Sequence, residues 1–399
     1  MKKDFSSTDV VVTRARAVIP LGTEREARGW DALTAPLEII DDGVIAARDS
    51  RILYVEPYAA YRRRPDALPP TEIIDLGDVA LTPGLINCHT HLELSWLRGS
   101  TVMGRGFLPW LESLINLDRH GGGDSVSLSL ESAATDMRES GTCLAGDITS
   151  RIPETVFQTG GSKGLALRPF LEIIGHNPAE PDTLAAKAEQ NNAFSLAGHA
   201  FYTTPGDAFV KAKTWCDRHA LPFSMHLAEH EGETECLFGH GAFYERLRAS
   251  ILPESWKAPC MRPVPYADSL GLLRKGTLAV HCVTCAADEV ETLARSEAAV
   301  CLCPRSNEFI GVGEAPAKAF AQKGTLLTLG TDSLASNHDL SLWKEAEYFL
   351  QKNILPANAL LRMATVNGAS VLGFPERFGR LARDTHFCYT VFPSGMFVT

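Results

Sequence analysis

Histidine and aspartate side chains recur in this sequence directly after short apolar segments. His89 and His91 form a His-x-His pair, and because side chains two positions apart in a strand point to the same side, both imidazoles can bind one cation. His226 and Asp332 follow two further apolar segments. Three neutral imidazoles and one carboxylate suit zinc or ferrous iron and leave a position for water. The pattern therefore predicts that these four residues bind a divalent metal ion.

Two more ionisable residues are predicted to lie beside this metal site. Glu229 follows His226 by three positions, where a carboxyl group can move a proton between an activated water and a substrate nitrogen; an exposed glutamate at a helix start is the alternative. His281 ends an apolar segment and is predicted to hold or polarise the nucleophilic water, although a lone histidine there is more often a hydrogen-bonded core residue. His199 is predicted to bind substrate, and Glu233, in a charged run, to be solvated.

The segments that precede these residues have the character of buried parallel strands. After residue 78, short apolar runs alternate with segments of helical periodicity, which indicates βα units. The strand candidates are residues 84–88, 141–146, 165–173, 194–198, 222–225, 277–280, 298–303 and 325–329, and the helix candidates include 128–139, 207–218, 288–296 and 340–351. Eight such units predict an α/β fold of the (β/α)8 TIM-barrel type, whose active site lies at the carboxyl ends of the strands.

The N-terminal part of the chain differs from this alternation. Short β-rich pieces at residues 10–12, 37–40, 43–46 and 52–55 are separated by turn residues. They predict a small β domain before the barrel, which agrees with a length of 399 residues, more than a barrel of roughly 250 residues needs. An irregular stretch at residues 230–268 is predicted either to shape a substrate pocket or to be a plain surface excursion.

The overall composition is that of a globular chain, and its net negative charge argues against anionic partners. It has 38 basic and 48 acidic residues and a formal charge of −10, which would repel a phosphate backbone. No run of about 18 apolar residues predicts a membrane helix, and the charged N-terminus lacks the apolar segment of a secretory signal. We therefore expect a cytoplasmic protein that binds neither nucleic acid nor membrane.

Ten cysteines are scattered through apolar segments rather than arranged in a dense framework. This distribution predicts reduced, mostly buried thiols. Cys282 and Cys285 form a Cys-x-x-Cys pair, which can be a redox or zinc motif. No second Cys-x-x-Cys accompanies it, and Cys301 and Cys303 fit alternating packing positions of a strand. Structural thiols are therefore favoured in both places.

Five segments carry a resemblance to a known group of enzymes. They are residues 83–95, 226–229, 278–283, 303–307 and 330–337. On these motifs and their order, the sequence resembles the amidohydrolase superfamily, in the branch of chlorohydrolases and of guanine and adenosine-type deaminases. The resemblance implies a distorted barrel, predicted at residues 81–370, and a discontinuous β-sandwich assembled from residues 1–80 and 371–399.

The resemblance also implies one divalent metal ion, with zinc expected before ferrous iron. The ligands that it implies are His89, His91, His226 and Asp332. Glu229 and His281 are implied as catalytic partners. Relatives with two metals carry a carboxylated lysine at the end of strand four, where this chain has His199, so a mononuclear site is favoured.

The expected reaction is hydrolytic deamination of a 6-aminopurine nucleoside. Residues 89–99 and 330–337 look most like aminodeoxyfutalosine deaminases of menaquinone biosynthesis, and deaminases of S-adenosylhomocysteine, methylthioadenosine or adenosine are the alternatives. Asp332 and His281 would orient water and accept its proton, while Glu229 would protonate the purine ring. Hydrolysis of another C–N or C–Cl bond on a heterocycle, and a non-catalytic binding module, are further alternatives.

The remaining expectations concern a further substrate contact and the partners of the protein. Arg168 on strand three is a candidate contact for a carboxylate or a ribose of the substrate, with an ion pair in the barrel as the alternative. The expected partner is a small nucleoside-like molecule. The sequence leaves the oligomeric state open, with a homodimer as one candidate.

Overall fold

The computed structural model describes residues 9–118 and 124–394 of the chain. Its N-terminal part forms the strands β1 (Val10–Val18), β2 (Ile40–Arg48), β3 (Arg51–Pro57), β4 (Glu72–Asp75) and β5 (Ala80–Pro83). β2 pairs antiparallel with β1 and β3, while β4 and β5 pair with β1 in parallel. The β2–β3 hairpin turns at Asp49 and Ser50, whose φ angles of 51° and 61° suit a two-residue turn between twisted strands.

A second sheet consists of eight parallel strands that lie side by side in chain order. They are β6 (Leu85–Thr90), β7 (Thr142–Thr149), β8 (Ala166–Ile173), β9 (Ser195–Gly198), β10 (Phe223–Leu227), β11 (Thr277–His281), β12 (Ala299–Leu302) and β13 (Leu326–Leu329). The backbone N–H groups of Thr331 and Asp332 donate to the carbonyl of His89 at 3.1 and 3.0 Å. These bonds join the loop after β13 to the end of β6, so the first and last strands meet in a nearly closed barrel.

Helices lie between the strands of both sheets. In the described residues they are α1 (Gly29–Thr34), α2 (Tyr58–Tyr61), α3 (Phe107–Asp118), α4 (Asp124–Glu139), α5 (Pro153–Ser162), α6 (Glu180–Glu189), α7 (Gly206–Arg218), α8 (Glu231–Leu237), α9 (Gly241–Arg248), α10 (Pro263–Ser269), α11 (Ala287–Arg295), α12 (Pro304–Ile310), α13 (Ala317–Lys323), α14 (Leu342–Gln351), α15 (Ala357–Arg362) and α16 (Gly368–Val371). A 3₁₀ turn at Leu92–Leu97 follows β6, and a π-helical turn at Met363–Asn367 links α15 to α16.

The chain returns to the first sheet near its C-terminus. β14 (Tyr389–Phe392) pairs antiparallel with β5, and the six-stranded mixed sheet has the order β14-β5-β1-β2-β3, with β4 beside β1. Strands from both ends of the chain therefore share one sheet. We propose on this basis that the division at residues 1–80, 81–370 and 371–399 describes one discontinuous accessory domain and one barrel.

The predicted fold class is confirmed: the chain forms a (β/α)8 barrel with a small discontinuous β domain. Each predicted barrel strand coincides with an observed one, with ends that differ by at most three residues. The predicted piece at residues 37–40 is wrong as a separate strand, because β2 begins only at Ile40. All ten cysteines are free, and Cys260 is the exposed one. In the described part of the chain, no helix is both long and apolar enough to cross a membrane.

Candidate metal centre and active site

The side chains predicted as metal ligands converge at the carboxyl end of the barrel. His89 lies in β6, His91 directly follows that strand, and His226 lies in β10. One ring nitrogen from each histidine falls within 4.8 Å of the others. Asp332, three residues beyond β13, places its Oδ1 atom 3.6 Å from Nε2 of both His89 and His91. The fold therefore gathers three imidazoles and one carboxylate in the barrel interior.

The chemistry of this cluster fits a divalent cation. Both ring nitrogens of His89 are buried without a hydrogen-bond partner in the described structure, and such an unsatisfied atom costs roughly 1–3 kcal/mol. The hydroxyls of Ser306 and Ser336 each donate to Oδ2 of Asp332 at 2.7 Å, which turns Oδ1 towards the histidines. Three nitrogens and one oxygen are a ligand set of zinc or ferrous iron. An ion bound here would satisfy one of the two ring nitrogens of His89 that the protein leaves unpaired.

The histidines are held in the form that binds metal. The Nδ1 atom of His226 lies 3.2 Å from the carbonyl of His199, and donation to that carbonyl leaves Nε2 with its lone pair. Burial and the neighbouring histidines lower the pKa of His91 to about 3. The same two causes hold the pKa of His226 well below its ordinary value. Both rings are therefore neutral near pH 7.

Two residues of the site hold a backbone conformation that L-amino acids seldom adopt. The φ angle is 72° at His281 and 58° at Asp332, in the left-handed region where a side chain other than glycine is strained. Surrounding hydrogen bonds hold both positions. Asp332 N–H donates to His89 as described above, and Cys282 N–H donates to the carbonyl of Leu227 at 3.0 Å. Strain retained at two polar residues of one cluster is typical of a functional site.

A carboxyl group and an imidazole stand beside the metal cluster. Nε2 of His281 lies 3.6 Å from Oε1 of Glu229, and its Nδ1 lies 3.0 Å from Oδ1 of Asn307. Burial raises the pKa of Glu229 well above its ordinary value, and the nearby Asp332 adds to this shift. Burial also lowers the pKa of His281 to about 4. A carboxyl group that keeps its proton to higher pH than usual and an imidazole that is neutral near pH 7 are thus available, one to donate a proton and the other to accept one.

The prediction that Glu233 is solvated is wrong. Its side chain is fully buried, and one carboxylate oxygen accepts a hydrogen bond from the backbone N–H of Glu229 at 3.0 Å. Burial raises the pKa of Glu233 to about 8. The charged run suggested a solvated face, but α8 turns this one position inward against the loop that carries Glu229.

The cluster opens into a cavity of about 320 Å³. Its inner end is formed by polar residues at the strand ends. Its outer wall is formed by apolar side chains, which are Leu94, Phe107, Trp110, Leu111, Leu114, Ile115, Ile174, Leu247 and Ile251. The last two belong to the stretch at residues 230–268, so the pocket-shaping alternative holds for that part of the chain. A few polar and ionisable groups at the base of a largely apolar cavity are the usual form of a small-molecule site.

The two predicted substrate contacts have different outcomes. His199 lines the cavity, and its Nδ1 atom lies 2.6 Å from the hydroxyl of Thr203. Arg168 is not brought to the cavity. It lies near the start of β8, at the opposite end of the strand from the site, and its guanidinium donates to the carbonyls of Leu372, Asn192 and Ala193 at 3.3, 3.2 and 2.8 Å. Both the substrate contact and the ion pair predicted for Arg168 are therefore unsupported.

Sequence reasoning missed two carboxylates of the cavity wall. Glu93, two positions after His91, accepts hydrogen bonds from the side chain of Thr149 and from the loop at residues 150–151. Glu172 ends β8 with its Oε1 buried and without a partner in the described structure, 3.9 Å from Nδ1 of His226. The rule that strand ends supply active-site groups would have found Glu172, because it lies at the end of the predicted third strand.

Glu172 belongs to a second group of metal-binding residue types. Its carboxylate, His199 and His226 offer ligand atoms within 4.8 Å of one another. This group shares His226 with the first cluster, and Nδ1 of that ring is already paired with the carbonyl of His199. One ion at the first cluster is therefore the simplest occupancy.

Comparisons with known proteins agree with this geometry. The sequence model of the amidohydrolase family matches residues 80–396. A 5-methylthioadenosine/S-adenosylhomocysteine deaminase of Nitratidesulfovibrio vulgaris strain Hildenborough is 30% identical over 355 residues, which cover 84% of this chain and 75% of the relative.

The fold also matches two solved structures. A zinc-bound adenosine deaminase of Xanthomonas campestris matches with a TM-score of 0.77 and 24% identity, over 96% of this chain and 84% of that one. An aminofutalosine deaminase of Helicobacter pylori bound to methylthio-coformycin matches with a TM-score of 0.80 and 22% identity, over 97% and 93%.

Proposed function

Because this chain belongs to the amidohydrolase family and is a hydrolase of C–N bonds, we propose that it deaminates a 6-aminopurine nucleoside of the 5′-methylthioadenosine and S-adenosylhomocysteine type. The observation that carries the proposal is the pairing of Glu229 with His281, 3.6 Å apart, beside the cluster of three histidines and Asp332. An amidine carbon attacked by water needs an acid for its ring nitrogen and a base for the water, and both groups stand here.

The metal has a limited part in this proposal. The proposed ligands are His89, His91, His226 and Asp332, and zinc or ferrous iron suits them. When bound, such an ion lowers the pKa of water and so supplies a nucleophile near neutral pH.

The protein's own residues carry the proton transfers. Glu229 donates from its carboxyl group to the ring nitrogen beside the attacked carbon, which its raised pKa allows near pH 7. Neutral His281 accepts the proton of the attacking water through Nε2, the ring nitrogen that faces Glu229. Oδ1 of Asp332 orients that water, because its other oxygen is taken by two serines. The ionised Glu229 then takes the hydroxyl proton at C6 and passes it to the amino nitrogen, so that ammonia leaves as the C6 carbonyl forms, and the proton on His281 returns to Glu229 across the 3.6 Å between them.

The comparisons favour the methylthioadenosine and S-adenosylhomocysteine alternative over aminodeoxyfutalosine. Two relatives that are each 30% identical to this chain, over 84% and 88% of its length, are named for the first two substrates. The aminofutalosine deaminase is 22% identical to this chain, a similarity that carries the fold alone. A role in menaquinone biosynthesis therefore has less support than the general deamination. Ten free thiols support a reducing, cytoplasmic location.

The test is a substrate panel with protein loaded with zinc or with ferrous iron. 5′-Methylthioadenosine, S-adenosylhomocysteine, adenosine and aminodeoxyfutalosine are compared by ultraviolet absorbance and ammonia release. Conversion of at least one to its hypoxanthine product is expected. If none reacts while a chlorinated triazine or a cyclic amide is hydrolysed, the proposal is wrong. Protein that retains no transition metal would favour the non-catalytic alternative.

A variant of Glu229 tests whether its carboxyl group is the proton donor. Glu229→Gln keeps the size of the side chain but cannot donate an acidic proton, so we expect turnover to fall by a factor of about 10²–10⁴ with the metal content unchanged. Glu231→Gln, at an exposed position two residues away, is the matched control. Equal turnover of the Glu229 variant and the control would exclude the proposed proton donor.

A further inference from the structure

The active-site cavity has two chemically different ends. Polar groups lie at the strand ends around His226 and Asp332. The opposite wall is built by two helices: α3 presents Phe107, Trp110 and Leu114, among others, and the end of α9 and the turn after it present further aliphatic side chains. The cavity is thus lined by polar groups from the strand ends and by apolar groups from α3 and from the chain at the end of α9.

The apolar wall is a fixed part of the site. Nε1 of Trp110 donates to the carbonyl of Ala335 at 2.8 Å, in the loop that carries Asp332. The backbone N–H groups of Gly104 and Gly106, just before α3, donate to the carbonyls of Phe309 and Ile310 at 2.7 and 2.8 Å. The ring of Phe107 also stacks on the buried ring of His230 at 3.7 Å. These contacts fix α3 against the loops that carry Asp332 and Glu229.

Acidic side chains outnumber permanently cationic ones among the described residues that line the cavity. Four carboxyl groups line it, those of Glu93, Glu172, Glu229 and Asp332. Among the described lining residues, the permanently charged cation is Arg151. Its side chain is exposed, so water and salt screen its charge. A carboxylate carried by the substrate would meet carboxyl groups at one end of this cavity and hydrocarbon at the other.

The direction of a bound nucleoside follows from its covalent structure. When C6 of the purine lies at the metal cluster, the sugar on N9 lies on the far side of the ring system. The 5′ substituent then extends away from the metal, towards α3 and the turn after α9. A charged group placed against that wall loses its hydration without gaining a partner, which is strongly unfavourable, whereas an alkyl group gains free energy from burial.

We propose that the substrate carries a neutral, apolar 5′ substituent, of the alkylthio class, and that the wall formed by α3 and by Leu247 and Ile251 discriminates against 5′ substituents that bear a carboxylate. The inference rests on the proposed nucleoside deaminase function and narrows its substrate class from 5′-methylthioadenosine and S-adenosylhomocysteine to the first of these two. Within that class, a methylthio nucleoside fits the cavity, and amino acid or benzoate substituents do not.

A matched pair of substrates tests the charge alone. 5′-Butylthio-5′-deoxyadenosine and its 3-carboxypropylthio counterpart have side chains of similar length, and one ends in a carboxylate. With wild-type protein we expect kcat/KM for the butylthio compound to be higher by at least about tenfold, mainly through KM. Equal values, or a preference for the carboxylate, would overturn the inference.

A variant then places a cation in the wall. Leu114→Arg should lower the preference for the butylthio compound by about tenfold or more, because the carboxylate gains a partner. Asn116→Arg, on the exposed side of the same helix, should leave the preference as in wild type. If Leu114→Arg does not fold, the wild-type comparison already decides. A wild-type preference for the carboxylate that disappears in Arg151→Ala would identify Arg151 as the recognising group and refute the inference.

The same assays distinguish a failure of the proposed deaminase function from a failure of the proposed preference for an apolar 5′ substituent. Unsubstituted adenosine and 5′-deoxyadenosine serve as references. If these or the butylthio compound are deaminated and the carboxylate compound is preferred, the proposed function stands and this inference fails. If no 6-aminopurine nucleoside is deaminated, the proposed function fails and the inference fails with it.

Discussion

The backbone N–H of Glu229 donates to the buried carboxyl group of Glu233 at 3.0 Å. Ala228, the residue before Glu229, has a φ of 52°, so the chain turns sharply between the proposed metal ligand His226 and the proposed acid. Glu233 lies on α8 and ties that turn to a helix. The position of the Glu229 carboxyl group therefore depends on a second glutamate that does not line the cavity.

We predict that Glu233 positions Glu229. Its pKa of about 8 makes it largely protonated near pH 7, so Glu233→Gln preserves its shape and an acceptor oxygen and should retain most activity. Glu233→Ala removes the acceptor and should lower kcat by about 100-fold, because small displacements of a catalytic group are that costly. KM and metal content should change little. Loss of metal together with activity in the alanine variant would point to a general structural role instead.

Asn307 is predicted to control the protonation of His281. Its Oδ1 lies 3.0 Å from Nδ1 of the ring, which favours the proton on Nδ1 and leaves Nε2 as the acceptor. Asn307→Leu should lower kcat by about 100-fold through loss of this base. Asn307→Asp places a negative charge beside the ring, raises the pKa of His281 and should move the acidic limb of the rate profile to higher pH. Overlapping pH–rate profiles of wild type and Asn307→Asp would contradict this role.

Metal binding is predicted to depend on His89 and to stabilise the fold. His89→Ala should reduce the bound metal from about one ion per chain to nearly none, and a chelator should do the same to wild type. Because a ligand that binds only the folded state raises its stability, both changes should lower the melting temperature. His219→Ala, at an exposed helix end, should keep the metal. A full metal content in His89→Ala, measured by elemental analysis, would show that the ligand assignment is wrong.

His230 is predicted to lower stability at acidic pH. Burial lowers its pKa to about 3, while the unfolded chain has an ordinary value of about 6.5. Between these values the unfolded state binds a proton that the folded state does not, so stability falls as pH decreases below about 6.5. His230→Phe keeps the stacking with Phe107 and removes this proton. From pH 7 to pH 5 it should lose about 2 kcal/mol less of its unfolding free energy than wild type.

Urea unfolding at the two pH values measures this difference. The titration of the other histidines is common to both proteins and cancels in the comparison. His240→Phe, at an exposed position, is the matched control and should follow wild type. If His230→Phe loses as much unfolding free energy as wild type, the buried ring is not the source of the acid sensitivity.

Much of the metal cluster could be predicted because strand geometry is local. Two imidazoles two positions apart share one side of a strand, and the carboxyl ends of parallel strands meet at one face of a barrel. These two rules bring His89, His91, His226 and Asp332 to one face before any coordinates are known. The same rules failed for Arg168, which was assigned to the right strand but lies at its opposite end, where backbone carbonyls hold its guanidinium.

The sequence by itself determined the order of the eight barrel strands, the histidines and aspartate at their ends, and the general chemistry of those groups. Only the tertiary structure decided that Glu233 is buried beneath Glu229, that Glu172 lines the cavity with one carboxylate oxygen unpaired in the described structure, and that α3 supplies an apolar wall. The physical reason is that strand alternation is a local property of consecutive residues. Burial of one position on a short helix, and the distance between a helix and a strand end, depend on packing between segments far apart in the chain.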